Sequence, residues 1–243
     1  MLIDTHCHLH DPEFFSESQA EEFLKEAKNK GVEKIICIGT DAKDSLKAAE
    51  FAKNHKNVYY TFGTHPENHD IKADAKLPKN DPKLVAIGEV GLDYHQENYN
   101  REAQIQLFNE MLQLAQDNNL PLSFHVREAF DDFFPIIANF PKVRGVVHSF
   151  TDNKKKLKRI LTETDFYVGV NGLVTYSTLP MPPLERILLE TDAPFLTPAP
   201  FRGIVNGPGY IREIAEWLSS KLALEFEIVE RETTKNAREL FHI

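Results

Sequence analysis

The sequence predicts a (β/α)8 TIM-type barrel filling residues 1–243 as a single domain, and three observations carry that prediction. Eight short runs rich in apolar, β-branched or aromatic residues recur along the chain. Polar segments of helical period separate them, and steady alternation of strand and helix calls for parallel pairing. The length, 243 residues, is about that of one such barrel. A doubly wound open sheet shares the alternation and is the competing architecture. No repeat, low-complexity tract or Pro/Gly-rich linker marks a second domain.

Taken in order, the first strand is LIDTH, followed by the amphipathic EEFLKEAKNKG, which stops on Gly31 as helices commonly do. KIICIGT is the second strand and DSLKAAEFAKNH the helix behind it. VYYTFGT and LVAIGEV are the third and fourth strands. The long segment NREAQIQLFNEMLQLAQDNN then leads as a helix into the fifth strand, PLSFHV. GVVHSF is the sixth strand, KKKLKRILTE the helix after it, FYVGV the seventh strand and RILLET the eighth. YIREIAEWLSSKLA and a helix around TTKNARELF come last.

One connection breaks the rhythm. Only LVTYSTLPMPP lies between FYVGVNG and LERILLETD, and Pro180, Pro182 and Pro183 cannot sit in a helix interior. A crossover with its helix takes at least roughly 10–12 residues. The seventh outer helix is therefore expected to be absent or a single turn, leaving the seventh and eighth strands partly uncovered. Apolar surface bared there would offer a contact for an oligomer.

The formal charge of −9 argues against general coating of nucleic acid, which relies on neutralising phosphates with Lys and Arg. It leaves room for an enzyme whose positive charge comes from metal ions. The two cysteines, Cys7 and Cys37, fall in different strands, so no disulfide framework is expected. The first residues read as a strand bearing His and Asp rather than a leader, and no apolar run approaches a membrane span. A cytoplasmic protein with no membrane partner is the expectation.

Residues two apart on a strand face the same way, so His6 and His8 project together while Cys7 points opposite. Two such imidazoles can grip one metal ion. Two polar residues at a frayed, solvated strand end would read the same, so the pair alone decides nothing. In a parallel barrel the active residues sit at the C-terminal ends of the strands. Glu89 in GEVGLD ends the fourth strand, His125 the fifth, His148 the sixth and Asp192 the eighth. Glu89 follows an apolar run and lies between Gly88 and Gly91, where a surface acid has no special reason to be. Taken singly, His125 and His148 read equally well as hydrogen-bonded rim histidines and Asp192 as a helix cap. Those readings need separate accidents, whereas a metal site accounts for all six residues at once.

The motifs IDTHCHL, FGTHP, IGEVGLDYH, FHVREA, VVHSF and LLETDAPFLTPAPFRG, in that order, resemble the TatD family of metal-dependent hydrolases within the amidohydrolase-like barrel superfamily. The resemblance spans nearly the whole chain. It implies a centre for two divalent cations, Mg2+, Mn2+ or Zn2+. His6, His8, Glu89 and Asp192 would hold one and Glu89, His125 and His148 the other, with Glu89 bridging. It implies phosphodiester hydrolysis, often as a 3′–5′ exonuclease on DNA or RNA ends, although some relatives remove D-amino acids from tRNA. Two ions can activate water and stabilise charge on attacking and leaving oxygens. Asp192 is the candidate general base. Imidazole-rich sites suit Zn2+ or Mn2+ better than Mg2+. His10 lies outside the pattern and is expected to face solvent.

His65 in FGTHPE, Arg127 beyond His125 and Arg202 in PFRG are candidates for contact with substrate phosphate, each with an ordinary structural role as the alternative. Asp93 in GLDYH is expected to orient a neighbouring group rather than touch metal. The basic run Lys154, Lys155, Lys156, Lys158 and Arg159 reads foremost as a solvated helix face. The family loop commonly reads like RGKRNEP, but here it is RGIVNGP, with Ile204, Val205 and Gly207 replacing two basic residues and a Glu. Fewer phosphate contacts follow, which gives weight to hydrolysis of a small ester, amide or lactone as a third reading.

Overall fold

All eight expected strands are present in a computed structural model that describes residues 1–70 and 76–243. They are β1 (Leu2–Cys7), β2 (Val32–Cys37), β3 (Val58–Phe62), β4 (Leu84–Asp93), β5 (Leu122–Arg127), β6 (Gly145–Val147), β7 (Tyr167–Val170) and β8 (Ile187–Leu189). Each pairs in parallel with the next, in the order β1 to β8. The sequential order excludes the doubly wound sheet, whose strand order reverses at a switch point.

Closure between β1 and β8 falls to a few bonds. Cys7 bridges to Ala193. The Asp192 amide donates to the His6 carbonyl at 2.8 Å and the His8 amide to the Ala193 carbonyl at 2.8 Å. Beneath them the buried Asp4 carboxylate accepts the Thr191 amide at 2.9 Å and the Thr191 hydroxyl at 2.6 Å. The seam of the barrel is thus tied by the residues that flank His6, His8 and Asp192.

Seven α-helices surround the strands among the described residues: α1 (Glu17–Asn29), α2 (Ala42–Asn54), α3 (Arg101–Asn118), α4 (Phe130–Ile137), α5 (Lys154–Glu163), α6 (Ile211–Leu222) and α7 (Phe226–Phe241). Their starts follow from side-chain caps that satisfy otherwise orphaned backbone donors. Ser16 and Gln19 form a reciprocal capping box on α1. Asp41 caps α2, Asn100 α3 and Asn153 α5. None is long and apolar enough to cross a membrane.

Helix α4 is an addition to the sequence reading. Phe130, Phe133, Phe134 and Ile137 recur at helical spacing and are buried, but Pro135 inside the helix masks the pattern. Their rings join Phe108, Phe124 and Phe166 in an aromatic core outside β4–β7. Burial of several Phe side chains outweighs the roughly 3 kcal/mol that an interior proline costs.

The seventh connection has no α-helix, as the prolines require. It holds two short 3-10 turns, Gly172–Thr175 and Leu184–Arg186. The bare strands expected there are absent, however. Leu179, Met181 and Leu184 fold back onto the core from the connection itself. The exposed large apolar side chains among the described residues all lie elsewhere. The expected oligomer surface over β7 and β8 therefore has no apolar patch beneath it.

Candidate metal centre

The six candidate ligands meet at the C-terminal mouth of the barrel. His6, His8 and Asp192 place one donor atom each within 4.8 Å of one another, and His6, Glu89 and His148 do the same. Asp192 Oδ1 lies 3.7 Å from His6 Nε2 and 3.6 Å from His8 Nε2. Glu89 divides its carboxylate between two groups of imidazoles. Oε2 is 3.5 Å from His6 Nε2, while Oε1 is 2.8 Å from His125 Nδ1 and 3.4 Å from His148 Nε2.

Strand geometry produces this convergence. His6 and His8 alternate with the fully buried Cys7, as period-two strand geometry demands. Gly91 lets β4 approach β5: at φ 149° a Cβ there would lie 1.9 Å from the His125 carbonyl oxygen. Asp192 sits just past β8 in the left-handed region, at φ 57°. Asp tolerates that conformation better than bulkier residues.

Three of the four rings face a partner on the far side. His125 Nε2 lies 2.8 Å from Asp93 Oδ2, as the sequence suggested for Asp93. His148 Nδ1 lies 3.3 Å from Glu190 Oε1, and His6 Nδ1 lies 3.4 Å from the Ser123 hydroxyl. Such outer carboxylates fix the tautomer of a ligating imidazole. Glu190 is fully buried, and its Oε1 also accepts the Ser149 amide at 2.6 Å. Gly169 leaves room for it, since a Cβ there would be 2.3 Å from Glu190 Oε2. The sequence reading missed Glu190 and Ser123. The signal for Glu190 was present: a charged residue closing the apolar run of the eighth strand, two positions before Asp192.

The electrostatics describe a cluster that wants cations. Burial opposes charge on Glu89, yet His148, His6 and His125 hold its carboxyl well below the usual range. Burial likewise opposes ionised Asp192, and His8, His148 and His6 hold it down. Burial would depress His125, but Asp93 and Glu89 raise it to about 9. The same contest at His148, with Glu190 and Glu89 prevailing, raises it to about 10. Burial and the neighbouring His148 depress His6. Its Nε2 is buried with no hydrogen-bond partner, although it faces two carboxylates. A buried unpaired nitrogen is uncommon and needs a reason. A divalent ion supplies one, and the mixed imidazole and carboxylate donor set suits it. The residues fit the implied metals.

His65 reaches the same centre. Its Nε2 is 3.9 Å from Glu89 Oε1, and its ring lies 4.4 Å from that of His125. Burial and His125 lower it to about 4, so it is neutral near pH 7. Its Nδ1 accepts the Glu67 amide at 3.3 Å, which leaves the proton on Nε2, facing the cluster. Arg127 lines a cavity of about 460 Å3 shared with His125, His148 and Asp192. Arg202 is not brought to that cavity. Its guanidinium lies over the Tyr176 ring at 4.1 Å, in a neighbouring hollow with Ile204 and Val205.

His10 corrects an expectation. It does not face solvent: its side chain is fully buried, and Nε2 lies 3.2 Å from Asp44 Oδ1. The chain turns after β1 instead of running on, burying Leu9 and His10 against α2, whose first turn supplies the carboxylate. In the basic run, Lys156 pairs with Asp131, and Arg159 lies 2.7 Å from Glu163. Lys154, Lys155 and Lys158 are exposed, in keeping with a solvated helix face.

The family model described as TatD related DNase matches residues 3–242. The chain is 34% identical over 258 residues to YabD of Bacillus subtilis, an uncharacterized metal-dependent hydrolase, with all of both chains covered. It is 30% identical over 243 residues to the 3′-5′ ssDNA/RNA exonuclease TatD of Erwinia tasmaniensis, covering 92% of this chain and 93% of the relative. The crystal structure of the TatD homologue YjjV from Escherichia coli superposes with a TM-score of 0.88 at 29% identity, covering 100% of this chain and 98% of that one. A TatD-family hydrolase structure from Entamoeba histolytica gives the same TM-score at 25% identity, covering 99% and 97%.

Proposed function

The chain belongs to the TatD-related DNase family of metal-dependent hydrolases, and from that premise we propose that it is a phosphodiesterase that trims DNA or RNA ends with two divalent cations. The observation that carries this reading is the divided carboxylate of Glu89, one oxygen toward His6 and the other toward His125 and His148. A single acid shared between two groups of imidazoles could serve two ions at once, which would suit a two-ion phosphodiesterase.

His6, His8, Glu89 and Asp192 would hold one ion, and Glu89, His125 and His148 the other. When bound, the pair supplies Lewis-acid activation of water and neutralises charge on the attacking and leaving oxygens. The protein's own groups do the rest. Asp192, ionised at neutral pH and open to the cavity, accepts the proton of the attacking water. His65 donates its Nε2 hydrogen to a non-bridging phosphate oxygen. Arg127 clamps a second oxygen from the cavity wall. Asp93, Glu190 and Ser123 keep the ligating rings from turning away.

Release of mononucleotides from single-stranded ends, dependent on Mg2+, Mn2+ or Zn2+, tests the reading. Metal analysis of the same preparation should find up to two ions per chain. Inert oligonucleotides with every metal would refute it. A second reading has its own observation: Ile204 and Val205 are both more than half exposed where phosphate-binding cations are expected. D-aminoacyl-tRNA, or a small ester, amide or lactone, would then be the substrate. Hydrolysis of these by a preparation inert toward oligonucleotides would select it.

A further inference from the structure

The cavity beside the candidate metal cluster has a mixed lining: His125, His148, Asp192 and Arg127 are polar, and Leu173, Phe195 and Leu196 apolar. At about 460 Å3 it is sized for a small ligand, with room for one nucleotide rather than a strand.

Phe195 is the unusual member. It lies three residues after Asp192, and its amide donates to the Asp192 carbonyl at 2.8 Å, so its position is tied to that of a ligand. Its ring centroid lies 6.4 Å from that of His8. Yet the side chain is 46% exposed, and Phe14 beside it is 42% exposed. The two rings meet edge to face at 5.2 Å and 80°, a favourable aromatic geometry that holds Phe195 in place. Two neighbouring exposed phenylalanines at the mouth of a site leave apolar area in water that a flat ligand would cover.

Among the described residues, Arg127 is the one arginine or lysine lining this cavity. Arg202 lies over Tyr176, Lys156 pairs with Asp131 and Arg159 with Glu163. Proteins that hold long single strands combine a basic groove with stacking. Here the stacking element stands beside a single cavity-lining arginine. Resting on the phosphodiesterase reading above, we propose that Phe195, steadied by Phe14, is the platform on which the terminal nucleobase of the substrate stacks. This ring, together with contacts to the terminal phosphate alone, sets affinity. The enzyme therefore accepts ends as short as a dinucleotide about as readily as long strands.

Matched oligonucleotides that end in adenosine or in an abasic residue test this directly. Phe195→Ala should lower kcat/KM roughly 5- to 100-fold more on the adenosine end than on the abasic end, mostly through KM. Phe195→Trp should restore discrimination, and Phe14→Ala should give a smaller loss of the same kind. A terminal 2-aminopurine should be quenched on binding to Asp192→Asn protein, and far less once Phe195→Ala is added. Across lengths from two to about sixteen nucleotides, kcat/KM should vary only a few-fold. Between about 50 and 200 mM salt it should change far less than the ~1000-fold or more typical of multiple phosphate contacts.

Equal losses on both ends, no quenching, or a steep dependence on length or salt would overturn the platform while nucleotide release continued. A wild-type protein that releases no nucleotide from any length would instead overturn the phosphodiesterase reading, and this proposal with it. So would release of D-tyrosine from its tRNA ester by a preparation inert toward oligonucleotides.

Discussion

Single residues around the ligands account for more of this centre than the ligands alone. Glu190→Gln keeps the shape of the side chain but removes the charge facing His148 Nδ1. Outer-shell changes of this type cost about 10- to 100-fold in metal affinity. Titration of metal-stripped protein with Mn2+ should show that loss, whereas an unchanged affinity would reduce Glu190 to a packing role. The buried His10–Asp44 pair makes a stability prediction that metal-free protein can test. Burial would lower His10, but Asp44 and the neighbouring Cys37 together raise it from 6.5 to about 9. Burial would raise Asp44, but His10 and Thr40 lower it from 3.8 to about 2. The raised imidazole stabilises the fold fully below pH 6.5, and that contribution fades as pH climbs through 9. The depressed carboxyl contributes above pH 3.8, and that contribution fades as pH falls through 2. Asp44→Asn should therefore cost most between those limits, about 3 kcal/mol by urea unfolding, with a smaller difference above pH 9. A penalty flat across pH would mean the pair carries no charge. The six candidate ligands were legible because each falls at or just past the end of an expected strand. His10 was not, because its burial depends on a carboxylate 34 positions away that no local pattern announces.

At the level of elements, alternation exposed the strands, and three prolines exposed the missing helix. Helix α4 escaped because a proline marker outweighed four apolar residues at helical spacing. What those residues bury became apparent only in three dimensions. The Phe133 ring stacks on Phe108 at 5.8 Å and meets Phe124 at 5.3 Å, linking α4 to α3 and β5. Phe133→Ala should cost about 3–5 kcal/mol. Because β5 carries His125 on the opposite side of the same sheet, the loss should loosen the metal site too. Urea unfolding with a destabilisation below about 1 kcal/mol would show that α4 is an ornament on the barrel rather than part of its core. The seventh connection teaches the complementary lesson. Its sequence correctly denied a helix, but the covering role of Leu179 and Met181 depends on where an irregular segment folds back, which periodicity does not report.

For the whole molecule, the metal centre and the barrel's closure are one problem. β1 and β8 are joined by few hydrogen bonds, and the residues making them flank or include His6, His8 and Asp192. On the proposed assignment, an ion held by both strands would reinforce the seam, and a second would be held by Glu89 on β4, His125 on β5 and His148 just beyond β6. Metal that binds only the folded form stabilises it by RT ln(1 + [L]/Kd), about 2.7 kcal/mol at a hundredfold excess over Kd. For a chain of this size each kcal/mol moves Tm by roughly 2–4 °C, so saturating Mn2+ should raise Tm by about 5–10 °C and chelation should reverse it. Asp93, Glu190 and Glu89 raise His125 and His148 to about 9 and 10, so metal binding at pH 7 should displace protons from them. Calorimetry at pH 7 in buffers of different ionisation enthalpy should therefore count about one to two protons released. Saturable binding without a Tm shift would place the ions outside the folded mouth. A Tm shift without proton release would mean that the imidazoles facing Glu89 are neutral before any cation arrives.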